Sequence, residues 1–328
     1  MLDKLLNKHE FYIALTIVIL AVFITSVNST FLTVANIFDL IKSSLVMGIL
    51  SLGTFFVIVS GDIDVSFPAI AVVSMYVTSK LFNYIGFESS IIAAFLLAGA
   101  IGIVLGLFNG FFVSKFNVPT LIVTLGTQYL FQGFLLAFIG TGIINNLPKS
   151  FNDFSKMSLM NVKQGRLIYS LPASSLILLG AVILTWAIVR YTKIGRGIFA
   201  IGGAPEAAKR VGFDIKKIQY FIYGYSGFLA GLAGIVHASI IRAANPFDIV
   251  GIELNVIAAV VLGGTSIKGG KGSVLGTLLG VGLIVMINNS LILMGVSSYW
   301  NRFVVGLVII FSIGATTYRN KRGEKNYA

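Results

Sequence analysis

The chain has 328 residues, 56% hydrophobic and 11% charged, with a net charge of +12 and no cysteine. Soluble domains run to about a quarter charged, so the composition excludes an ordinary water-soluble fold. The missing cysteines exclude disulfide frameworks, thiolate metal sites and cysteine nucleophiles.

The apolar residues fall in runs of about 17–25, the length that crosses a bilayer as helix. The expected fold class is therefore an all-α membrane protein of about ten transmembrane helices, one domain over 1–328. With His9 and His237 as the two histidines, no metal site is expected within one chain. The positive charge sits mostly in loops, where it sets orientation, and no nucleic-acid partner is expected.

Lys4 and Lys8 precede the apolar run Phe11–Val27. That run is longer than a signal-peptide core and no small-x-small site follows, so it reads as a retained first span. Nine more spans are expected at about 38–60, 66–83, 90–114, 121–142, 171–190, 218–242, 252–267, 272–293 and 297–318. Ten spans bring both termini to one side. Lys4, Lys8, Arg319, Lys321, Arg322 and Lys325 make that side the cytoplasm. The loop 193–217 then faces the cytoplasm, and the loop 143–170 faces outward with Lys149, Lys156, Lys163 and Arg166.

In chain order, the first break in the apolar pattern is Ser60–Ser66, SGDIDVS, with Asp62 and Asp64. Carboxylates at membrane depth must be capped, paired or wet. Asp64 with Ser66 can cap the next helix. Alternatively the break lines a transport path, with helix ends pointing at the cargo. Gly102-x-x-x-Gly106 and Gly276-x-x-x-Gly280 match as GxxLG, five spans apart. An odd offset inverts the second copy, which points to an inverted repeat of the kind transporters use.

Ala204–Val211 reads as a short helix on the cytoplasmic face. Pro205 suits the first helical position. Glu206 complements the dipole at one end, Lys209 and Arg210 at the other. Gly212 can take the left-handed conformation that ends it. A helix this short is marginal in water, so a docking partner would hold it. Glu206 and Arg210 would make docking contacts, Ala204, Ala207 and Ala208 would permit close approach, and Gly203 belongs to the same docking segment.

Ala259–Ser273, AVVLGGTSIKGGKGS, is a second interruption. The phosphate-loop pattern would need Gly at Thr265 and Ser or Thr at Gly272, so it fails twice. It reads as a tight cytoplasmic or re-entrant turn with Lys268 and Lys271 as anchors. If the protein uses ATP, another chain hydrolyses it. Within the spans, Asn109, Thr124, Thr127, Gln128, Gln132, Asn288 and Asn289 offer neutral hydrogen-bonding groups. They serve either helix–helix packing or a path for a neutral polyol-like cargo. Asp248, Glu253, Tyr299 and Trp300 are expected near outer ends, and His237 as a packing residue. No catalytic constellation is present.

The blocks SGDIDVS, GLFNGFFVSKFNVPTLIVTLGT, GRGIFAIGGAPEAAKRVGFDIKKIQ, AAVVLGGTSIKGGKGSVLGTLLG and NNSLILMGVSSYW, in that order, resemble the permease subunits of ribose-type monosaccharide ABC importers. The resemblance covers roughly residues 36–315. It implies a cobalamin-importer-like ten-helix fold in a bacterial inner membrane, with Gly202–Gly212 as the helix that couples to the ATPase. It also implies a second permease subunit, alike or different, two ATP-binding subunits and an extracytoplasmic sugar-binding protein. The chain would carry no cofactor, since ATP and Mg belong to the partner. Where the family commonly reads GGIDLSVG, this chain has Gly61-Asp62-Ile63-Asp64-Val65-Ser66-Phe67-Pro68. Asp62 and Pro68 are departures, so a family role carries to Asp64 and Ser66 more readily than to Asp62. The rivals are a stand-alone secondary transporter, which needs ion-coupling groups such as Asp62 and Asp64, and a permease for nucleosides, branched-chain amino acids or a furanosyl autoinducer.

Overall fold

The computed structural model describes residues 9–116, 118–165 and 167–295, together with Trp300, Phe303, Gly306, Leu307 and Ile310. Apart from those five residues, the expected tenth span lies outside the described residues, as do the basic clusters at both termini.

Helix α1 (His9–Val27) ends where Asn28 accepts from the Thr30 N–H and donates to the Leu293 carbonyl. Thr33 caps α2 (Val34–Val59) by accepting from the Asn36 N–H. After the 60–66 break comes α3 (Phe67–Ile85), which stops at Gly86 with φ 65. Then follow α4 (Ile91–Phe116) and α5 (Thr120–Phe134), the latter ending in a π turn at Leu135–Ile139. The 143–170 segment is folded. It holds α6 (Lys149–Lys156) and an antiparallel hairpin of β1 (Ser158–Gln164) with β2 (Leu167–Pro172). The chain is otherwise helical, consistent with the expected all-α membrane protein, and this two-stranded sheet is a local addition to it.

Helix α7 (Ser175–Tyr191) bends by 76° into α8 (Lys193–Gly203) at Thr192, whose side chain accepts from the Gly195 N–H. The stretch before the short helix is thus itself a helix. Next come α9 (Pro205–Arg210), α10 (Ile215–Ile241), α11 (Glu253–Leu262) and α12 (Val274–Leu293). Six helices among the described residues are long and apolar enough to cross a membrane, or seven with the bent pair. Helix α3 has 19 residues but carries Ser74, Thr78, Ser79, Lys80 and Asn83. The expected span 252–267 is corrected to the ten-residue α11.

Helices α2 and α10 form the centre: 67% and 72% of their spanning windows are buried, against 11% for α1. They pack on each other through rings, with Phe56 and Tyr225 centroids 5.1 Å apart and Phe221 stacked on Tyr225 at 5.8 Å. Helix α4 lies against α10 along glycines. A Cβ on Gly102 would overlap the Gly227 carbonyl, and one on Gly106 the Tyr223 carbonyl. Small residues let helices approach this closely in lipid.

Helix α12 uses Gly276 and Gly280 the same way, against Gly263, just past the end of α11, and Ala259 of α11. The two matching glycine pairs therefore do like work against non-equivalent neighbours. At one end of the bundle, Tyr76, Lys80 and Asn83 of α3 donate to the carbonyls of Gly142, Ile139 and Asn146. There Ile144 also pairs with Ala244.

Candidate functional site

Two helices start inside the bundle, and each starts at a carboxylate. The first is α3. Asp64, 1% exposed, accepts from both the Ser66 N–H and the Ser66 Oγ at 2.7 Å. Ser66 is the residue before the helix, yet its hydroxyl makes no cap bond. The expectation that Asp64 and Ser66 jointly cap α3 is corrected: Ser66 Oγ is spent on Asp64 and on Asn109, whose Nδ2 donates to it at 2.6 Å. The result is a buried relay, Asn109 to Ser66 to Asp64. Asn109 Oδ1 is left without a hydrogen-bond partner. Helix α5 closes this start. Thr120 Oγ1 accepts from the Ile63 N–H, and Thr124 Oγ1 accepts from the Val65 N–H.

The second start is α11. Glu253, 9% exposed, stands in its first turn, where the helix dipole favours a negative charge. Its Oε1 accepts from the Gly251 N–H at 3.0 Å and from Gln128 Nε2 at 2.8 Å. Gln128 is eight residues along α5, or about 12 Å from its start at 1.5 Å per residue. Glu253 therefore lies deep in the bundle, not near an outer end as the sequence suggested. The chain reaches it through a folded segment. His237 Nε2 and Asn245 Nδ2 hold the two oxygens of Asp248 at 3.1 and 2.8 Å. Ile249 sits at φ 66, a left-handed conformation that costs a β-branched residue roughly 1–2 kcal/mol. His237 is thus a satisfied packing residue, as expected.

Both starts meet one face of α5. Thr124 and Gln128 are four residues apart, one turn on the same side. Thr127 is buried and donates to the Thr124 carbonyl, and Gln132 lies half-buried one turn on. Among the described residues, no Lys or Arg pairs with Asp62, Asp64 or Glu253. The carboxylates are met by neutral donors instead, which is how a buried acid is tolerated without a cation. Asp62 is half-buried, close to Ser60 and Tyr223. The Tyr223 hydroxyl, also near Thr120, lacks a hydrogen bond of regular geometry. Asn288 and Asn289 do not join this network. They lie on α12, half-buried, with unpartnered side-chain oxygens.

The other expected site forms as a short helix, α9, with Ala204 before it and Gly212 at φ 91 beyond it. The Gly212 N–H donates to the Lys209 carbonyl and the Phe213 N–H to the Ala208 carbonyl. Gly203, Ala204, Pro205, Glu206, Ala207, Lys209 and Arg210 are exposed. Ala208 is 2% exposed, so it faces its own chain and is corrected from docking surface to support. Asp214 caps α10 by accepting from the Lys217 N–H, which holds its carboxyl below the usual carboxylate range.

Of the 259–273 stretch, residues 259–262 end α11 and 263–273 form a tight turn. Gly264, Gly269 and Gly270 have φ of 90, 83 and 74, and the Ser266 N–H donates to the Lys271 carbonyl. Sequence reasoning missed Glu253 as a site residue. Its signal was an acid directly before an apolar run.

Comparison with known proteins gives one family, described as branched-chain amino acid transport system / permease component, matching residues 36–313. A ribose import permease protein of Haemophilus influenzae is 32% identical over 97% of this chain and 95% of its own. That of Bacillus subtilis is 34% identical over 90% and 88%. An autoinducer 2 import system permease protein of Salmonella typhi is 30% identical over 94% and 86%. No solved structure matches.

Proposed function

The chain belongs to the branched-chain amino acid transport system permease component family, and from that premise we propose that it is the membrane permease of an ATP-driven importer for a ribose-like monosaccharide. It is a transporter subunit, not an enzyme, and a multi-pass membrane protein. The observation that carries the solute class is the pair of helix starts on one face of α5. Asp64, Ser66, Asn109, Thr127, Gln128 and Glu253 offer carboxylate, hydroxyl and amide groups without a fixed cation. Such groups exchange hydrogen bonds with solute hydroxyls, and helix ends at membrane depth are where transporters hold cargo. The ribose permease relatives point the same way.

In this reading the chain alternates access. Two ATP-binding subunits close on ATP, and α9 moves with the groove it docks into. Gly203, Ala204, Pro205, Glu206, Ala207, Lys209 and Arg210 form the docking face, Ala208 supports it from beneath, and Gly212 ends it. Both termini and α9 lie in the cytoplasm in this reading, and the arrangement is the ten-span, cobalamin-importer-like one. A second permease subunit completes the path. An extracytoplasmic sugar-binding protein meets the opposite side, where Glu88, Lys149, Asp153, Lys156 and Arg242 line an open cleft.

The test is uptake by proteoliposomes holding the complex with its ATP-binding subunits. ATP-dependent entry of labelled ribose, absent with leucine, supports the reading. Entry of the furanosyl autoinducer instead keeps the importer and changes the solute. Uptake by the chain alone on an ion gradient overturns it.

A further inference from the structure

Three backbones meet without side chains between them, at the end of the bundle that carries α9. Gly202 is the next-to-last residue of α8, just before α9. A Cβ there would overlap the Val59 carbonyl and lie 2.6 Å from the Gly270 nitrogen. Val59 ends α2, and Gly61 follows at φ 87, directly before Asp62 and Asp64. From the third side, the Gly270 N–H donates to the Val59 carbonyl at 2.8 Å. A Cβ on Gly269 would stand 2.8 Å from Gly202 Cα and 2.9 Å from the Gly61 nitrogen. The turn 263–273 in turn joins α11 to α12. One junction therefore touches the approach to Asp64, the far end of the helix that starts at Glu253, and the segment that leads into α9.

We infer that Gly202, Gly269 and Gly270 form the stiff link that carries movement of α9 to both helix starts, and so position the transport path against the docking helix. The inference rests on the reading of α9 as the docking helix. Its physical ground is a contrast in stiffness. Side chains can change rotamer when pushed, whereas backbone pressed on backbone and tied by a hydrogen bond moves as one body. Helix α8 has a second neighbour, in which Gly197 faces the Ile218 and Phe213 side chains. Those side chains can yield. The route through Gly202 cannot.

The test uses the full complex in proteoliposomes and reads three quantities: ATP-binding subunit retained, ATP hydrolysed, and ribose moved per ATP. Gly202→Ala forces the junction apart. Gly180→Ala on α7 is the control, because a Cβ there meets nothing within 4 Å. Gly61→Ala is a milder variant: its Cβ has room, with the Lys268 carbonyl at 3.6 Å, but its φ is strained. Gly202→Ala is expected to keep the ATP-binding subunit and hydrolyse ATP, with ribose moved per ATP lowered at least tenfold. Gly61→Ala is expected to fall between it and an unchanged Gly180→Ala. If Gly202→Ala does not fold, Gly61→Ala decides. Unchanged coupling in Gly61→Ala and in any folded Gly202→Ala overturns the inference. Loss of the ATP-binding subunit from the unmodified chain sinks the docking reading itself, and the junction's role with it.

Discussion

The two helix starts differ in how they are held. At α3, Asp64 is bound by its own neighbour Ser66 and, through it, by Asn109. At α11, Glu253 is bound by the Gly251 N–H two residues before it and by one distant side chain, Gln128. The first is a closed local network that survives small helix movements. The second breaks when α5 and α11 separate by a couple of ångströms. On the proposed importer reading, Asp64 then serves mainly architecture and Glu253 the step that changes during transport.

Four changes break or sharpen this contrast. The largest effect is expected for Asp64→Ala, which leaves the buried Ser66 N–H and hydroxyl without their acceptor, at about 1–3 kcal/mol for each orphaned donor. Its folded yield and melting temperature in mild detergent should fall sharply. A normal melt with lost uptake would move Asp64 from architecture to transport.

Glu253→Gln keeps the shape but removes the charge. It is expected to melt within a few degrees of the unmodified chain while ATP-driven ribose uptake drops roughly tenfold, equal to about 1.4 kcal/mol in the barrier. Uptake at the normal rate would erase the contrast.

Gln128→Ala frees Glu253 without removing it. A several-fold change in the ribose concentration for half-maximal uptake, with little change in melting, is the expected result.

The smallest effect is at Asp214, where the Lys217 N–H depresses the carboxyl pKa. A depressed acid stabilises above its unfolded value and loses that contribution as pH falls through its folded value. The small melting difference between the chain and Asp214→Ala should therefore persist at pH 7 and fade below about pH 4. A difference that is the same at pH 3 would remove Asp214 from the account.

Much of this was legible in the sequence because capping chemistry is local. Pro205, Glu206, Lys209, Arg210 and Gly212 announced α9, and the break at 60–66 was visible as acids amid apolar residues. Three features were not. Helix α8 hid because KIGRGIFAIGG reads as flexible loop; its glycines instead admit neighbouring backbone, Gly195 against Ile188 and Gly202 against Val59. The hairpin hid within a polar stretch where alternation is weak. Helix α11 read as a full span because its apolar run continues toward Thr265, and only the Gln128 contact shows how deep it begins. Depth is set by tertiary pairing, which no single segment encodes.

The most direct test of the central claim exploits the absence of native cysteine. A single Gln128→Cys variant, in the complex with its ATP-binding subunits, is exposed to a membrane-impermeant maleimide without nucleotide and with ATP trapped by vanadate. If α5 and the two helix starts line an alternating path, the labelling rate differs roughly tenfold between the two states, as a population shift requires, and ribose slows labelling in the accessible state. Equal rates in both states, indifferent to ribose, would place Gln128 and Glu253 in static packing and contradict the account.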